Sequence, residues 1–158
     1  MTAELTLHAP AGPHPAGRPV PVRARLRNSG PGDLWIVGVV DGSDTGTRYP
    51  HWLPLVRLDG VVVAVPARPE DPLVGPLRTT DFRCLAPGGA MDPGPLPTFD
   101  TFAPEVPGTY VYSLDLSTGS GRPEAWLGTF NQDRSVLDLV ARVPRLTLHA
   151  EATVEIAS

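Results

Sequence analysis

The chain contains no lysine; all thirteen of its basic residues are arginine. Set against seventeen acidic residues, they leave a net charge of -4, which argues against nucleic acid or an anionic membrane as the main partner. There is one cysteine, Cys84, so an internal disulfide is excluded and a reducing, cytoplasmic setting is expected. Nowhere do ~18 apolar residues run together, which excludes an apolar membrane-spanning helix. The first residues, Met1 to Leu7, lack the basic and apolar regions of a secretion signal.

What the chain has in quantity is punctuation. Its sixteen glycines and twenty prolines fall just short of the share, roughly 25–30%, at which disorder becomes the default. Hydrophobic residues make up 41% of the chain and fall in alternating runs, so the prolines read as breaks between short strands. At 158 residues the chain is long enough to bury a core without staples, and is expected to form one domain, 1–158.

The organising stretch is 107–117, a Pro-Gly turn followed by Tyr110, Tyr112, Leu114 and Leu116 alternating with Ser113, Asp115 and Ser117. One face is dry and one wet, so a second layer must cover it. Strict alternation also marks a first strand with Leu5 and Leu7. A second has Ala24 and Leu26 opposed to Arg23, Arg25 and Arg27, and a last one runs from Leu146 to Ile156. The arginine ladder reads as a solvated face paired with acids of neighbouring strands. Residues 34–40 are apolar on both faces, as a covered central strand would be.

Asp59-Gly60 is the pair a two-residue type I′ turn prefers. In the simplest register, Val56, Leu58, Val61, Val63 and Val65 share one face, and Leu55, Arg57, Val62 and Ala64 share the other. Residues 79–86 read as a strand with Phe82 and Cys84 on one face, the cysteine in the core. Segments 66–78 and 91–107 are Pro-rich connectors, the second anchored by Phe99 and Phe102. An insertion, 118–145, carries one short helix over about 134–143 with Val136, Leu139, Val140 and Val143 on a stripe.

The expected fold is therefore all-β, an immunoglobulin-like antiparallel β-sandwich of seven to nine strands with one short helix before the last strand. On Val20-Pro-Val-Arg-Ala-Arg-Leu-Arg-Asn-Ser-Gly30, Leu85-Ala-Pro-Gly88 and Pro107-Gly-Thr-Tyr110, the chain resembles bacterial immunoglobulin-like and fibronectin-III-like accessory domains. That group includes intracellular-proteinase-inhibitor-type and cell-adhesion-related modules, and the resemblance covers 4–116 and 146–156. It implies that Tyr110 is a tyrosine-corner residue whose hydroxyl bonds an upstream backbone group. Tyr112 stands where antibody domains carry a cysteine, which excludes the antibody-type inter-sheet disulfide. The resemblance implies fold, not function.

The longest run of potentially reactive side chains is 41–52. Asp44-Thr45-Gly46 matches the tripeptide that holds the carboxylate of aspartic proteases, but that chemistry needs a second carboxylate sharing a proton, supplied by dimerisation. Asp41, Asp44 and His51 match neither a calcium nor a zinc spacing, and a hydrogen-bonded turn is the plainer reading. His8 and His149, outward on the first and last strands, are a weak metal pair. Neither Ser43 nor Ser120 sits in a nucleophile elbow, and no phosphate-cradling glycine loop is present.

The expectation is a non-enzymatic module that needs no metal or cofactor and works through a protein partner or as a homodimer. The candidate interface is Leu55, Arg57, Val62 and Ala64. The alternative is a small-ligand or carbohydrate module whose rim is Asp41, Asp44, Arg48, Tyr49, His51, Trp52 and Trp126, with an Asp44 hydrolase as a further alternative.

Overall fold

Alternation of period two dictates the first elements. Leu5 and Leu7 turn inward from β1 (Ala3–His8), and Ala24 and Leu26 turn inward from β2 (Arg23–Asn28), leaving the three arginines exposed. The computed structural model describes residues 3–68 and 73–158. Strands take 36% of these residues against 14% for helical turns of every kind, and all named strand pairs are antiparallel, so the fold is all-β. Among the described residues, no helix is long and apolar enough to cross a membrane.

The strand over 107–117 takes the organising place expected of it. Before it come β3 (Leu34–Val37), β4 (His51–Leu58), β5 (Val61–Ala64), β6 (Phe82–Leu85) and the two-residue β7 (Ala90–Met91). β8 (Gly108–Ser117) lies between β4 and β9 (Thr147–Ile156) in a sheet of order β5-β4-β8-β9, and pairs with both along their lengths. Beside it stand two smaller sheets, β1-β2-β7 and β3-β6. Tyr110, Tyr112, Leu114 and Leu116 are all buried, in one core cluster with side chains from all three sheets.

The Tyr110 hydroxyl donates to the Val106 carbonyl at 2.6 Å, four residues upstream. Val106 is 58% exposed, so water can replace the lost donor, and Tyr110→Phe is expected to cost about 0.5–1.5 kcal/mol. The urea midpoint measures it, and no shift would mean the hydroxyl does not hold the corner.

The insertion is closed at its neck by Thr118. Its hydroxyl donates to Pro144 O at 2.5 Å, its N–H donates to Leu146 O at 3.0 Å, and the hydroxyl oxygen accepts from Leu146 N at 2.8 Å. A 3₁₀ turn (Arg134–Val136) runs into a helix (Leu137–Arg142), and Val136, Val140 and Val143 are buried as the stripe requires, with Leu139 half-buried.

Several expectations are corrected. The 34–40 strand ends at Val37 and belongs to a two-stranded ladder, because Val39 N bonds Pro93 O at 2.6 Å and carries the chain out of register. Residues Thr79–Asp81 form a 3₁₀ turn, and β6 meets the core at Phe82 and, partly buried, at Leu85, while Cys84 is exposed and not in the core. A second α-helix, α1 (Pro97–Thr101), lies in the connector, with α2 being Leu137–Arg142.

The hairpin turn has the positive φ values its sequence demands, 51° at Asp59 and 78° at Gly60. A bulge then shifts the register: Arg57 opposes Val62, but Val56 opposes Ala64. Ala64 therefore moves to the core side and leaves the candidate interface, and Val63 and Val65 do not follow Val56 inward but stay exposed.

Candidate functional site

The polar run 41–49 folds upon itself. The Ser43 hydroxyl is fully buried, donating to Val40 O at 2.7 Å and accepting from Val40 N at 2.9 Å, while Ser43 O accepts from Trp52 N at 3.0 Å. The Arg48 guanidinium turns inward, 3% exposed, and donates to the carbonyls of Gly75 and Asp41. Burial pushes Arg48 below its ordinary value, against the pull of Asp41 and Asp81. This arginine cross-links the loop to the 73–76 segment.

The aromatic rim is not formed. Trp52 is the second residue of β4, not a loop residue, and is fully buried with its indole N–H donating to Val37 O at 3.2 Å. Trp126 is equally buried, under the Arg145 guanidinium at 4.9 Å from its ring. Only Tyr49 and His51 remain half-buried, their rings stacked 3.7 Å apart, and burial lowers the His51 pKa. Two buried indoles cannot stack on a sugar or base, so the ligand-module arrangement lacks its platform.

Asp44 is different. Its carboxyl is pushed above its usual value by burial first, with Asp41 adding repulsion and backbone N–H bonds working the other way. No arginine or histidine pairs with it among the described residues. It lies in an open cavity of about 350 Å³ whose other walls are Ala64, Val65 and Ala67 beyond β5 and Pro97, Thr98, Thr101 and Phe102 at α1. Pro97 occupies the first turn of α1, where a missing N–H costs nothing, and Thr101 Oγ1 donates back to Pro97 O at 2.7 Å. Phe102 of this wall, and Phe99 beside it, pack against Tyr112, 6.4 and 5.2 Å between centroids, whose hydroxyl has no hydrogen-bond partner among the described residues and is pushed up to about 12 by burial.

The sequence pointed to Asp44 but not to its companions, which sit at the end of β5 and just past it, and in the connector that holds α1, well over fifty positions beyond Asp44 at their far end. The Leu96-Pro97-Thr98 step, with proline at a helix start, was the available signal.

Of the candidate interface, Leu55, Arg57 and Val62 keep to the outer face of the sheet. Arg57 Nη1 donates to Ser113 Oγ at 3.2 Å, closing over that serine. The exposed apolar side chains cluster at β5: Val61 is 65% exposed, Val62 42%, Val63 40% and Val65 58%.

On the same outer face His149 lies between Asp115 Oδ1, 2.6 Å from Nδ1, and Glu151 Oε1, 2.9 Å from Nε2. Both contacts suit an imidazolium donating from each nitrogen, and the Glu151 and Asp115 bonds raise its pKa. Because the folded value lies above the unfolded one, this stabilisation is complete below the ordinary imidazole value of 6.5 and is lost as pH rises through the raised value. Solvent at this half-exposed site holds the effect below about 1 kcal/mol. Thermal midpoints of wild type and His149→Gln are expected to converge as pH rises from about 5.5 to 8.5; a constant difference would exclude the charged clamp.

Among the described residues, no three His, Cys, Asp or Glu side chains are grouped to hold a metal ion; His8 instead bonds Thr6 Oγ1 at 3.1 Å. The chain matches no protein-family model, no curated protein and no solved structure.

Proposed function

We propose that the chain is a non-enzymatic module on an immunoglobulin-like sandwich scaffold, and that it acts by protein contact through the β4–β5 hairpin. The scaffold reading is supported by the Tyr110–Val106 corner bond. The contact reading rests on one observation: the outer strand of the largest sheet and the residue just past its end carry exposed valines, 61, 62, 63 and 65. Soluble domains protect such edges with proline, charge or a covering segment. From Leu55 to Val65 the only charged residues are Arg57 and Asp59 and no proline occurs. Among the described residues, no backbone group outside β4 pairs with β5.

Hydrogen exchange tests the open edge and light scattering tests its use. The outward amides of β5 are expected to exchange fast in the isolated chain, and Val62→Lys is expected to abolish any concentration-dependent rise in mass. Slow exchange along β5 in a monomer would mean that the edge is covered and the reading wrong.

A further inference from the structure

The cavity at Asp44 lies where β5 ends. Ladder pairing with β4 stops at Ala64, and Val65 and Ala67 then form a wall of that cavity. A segment laid along β5 advances about 3.3 Å per residue, so its next side chains arrive at the cavity mouth. There they meet the hydroxyl-bearing residues Thr98 and Thr101 and the Asp44 carboxylate. The backbone N–H bonds of this half-buried carboxylate offset only part of its burial, and no cation pairs with it among the described residues; an incoming ammonium or guanidinium supplies the rest.

A second copy of this chain fits poorly. Its β5 is only four residues long and begins directly at the Asp59-Gly60 turn. In a two-fold antiparallel pairing the partner strand turns back before the cavity, and the charged group at its tip is another carboxylate.

We infer that β5 accepts, by strand addition, an extended segment of a different protein whose lysine or arginine side chain enters the cavity and pairs with Asp44. This deepens the contact function proposed above and rests on it. The backbone ladder supplies the affinity and the carboxylate selects the side chain.

The test is a titration of the full chain, followed by amide NMR, with a blocked hexapeptide of alternating valine and threonine carrying one lysine. Two control peptides have norleucine for lysine or N-methylated alternate amides. The lysine peptide is expected to shift the amides of Val63, Val65 and Asp44, and to bind about tenfold more tightly than the norleucine peptide. Asp44→Asn, with an unchanged thermal midpoint, is expected to erase that difference. Equal binding of lysine and norleucine peptides would overturn the cation pairing and leave the edge contact standing. Equal binding of the N-methylated peptide would overturn strand addition. If no peptide binds and the chain dimerises through Val62, the occupant is a second copy and the inference fails while the contact function survives. If no peptide binds and the chain stays monomeric, both fail.

Discussion

Replacing Trp52 with alanine is expected to lower unfolding stability by about 3–5 kcal/mol, the range for emptying a buried tryptophan site. The side chain is fully buried opposite Leu116 of β8, and its indole N–H reaches Val37 O of β3 at 3.2 Å. It therefore ties the two-stranded ladder to the large sheet. Alanine leaves a void and an unpaired carbonyl together. Trp52→Phe keeps most of the volume and loses the donor, so its expected loss is smaller, about 1–3 kcal/mol. Urea unfolding separates the two, and a loss below about 1 kcal/mol for Trp52→Ala would place the indole at the surface.

Why Trp52 reads as a loop residue has a physical cause. β4 runs His51-Trp52-Leu53-Pro54-Leu55-Val56, with Trp52, Pro54 and Val56 buried and the odd positions half-buried. Its two faces are nearly equally apolar, so no alternation marks where the strand begins, and an internal proline argues against a strand. β2, β8 and β9 were legible because each has a wet face that contrasts with a dry one. β3 is apolar throughout and gave no such contrast, so its position in a minor ladder was hidden. At the hairpin the turn was legible from Asp59-Gly60, whereas the bulge between Val56 and Arg57 has no local signature in the residues around it. α1 is five residues long, too short for a 3.6-residue period to register. The cavity at Asp44 draws its walls from segments far apart in the chain, which no local pattern brings together.

Asn28 sits in what reads as turn material, yet its side chain is fully buried and makes three hydrogen bonds. Nδ2 donates to Gly32 O and to Leu85 O, both at 2.8 Å, and Oδ1 accepts from Gly30 N at 3.0 Å. Its backbone adds a bond in each direction to the Gly88-Gly89 turn. One amide thus fixes the end of β2, the loop after it and the strand end at Leu85. Asn28→Ala strands two carbonyls and one N–H, and is expected to cost roughly 2–4 kcal/mol. Asn28→Asp keeps the shape and the Gly30 bond but aims a carboxylate oxygen at two carbonyls. At neutral pH it is expected to be at least as damaging as alanine. Burial and the facing carbonyls disfavour its ionised form, so the folded state holds the proton more tightly than the unfolded chain does. Its stability should therefore recover as pH falls, when the carboxyl regains one donor. Urea midpoints of both variants across acid and neutral pH decide the matter: an Asn28→Asp chain as stable as wild type at neutral pH would show that the amide donors are not what holds this junction.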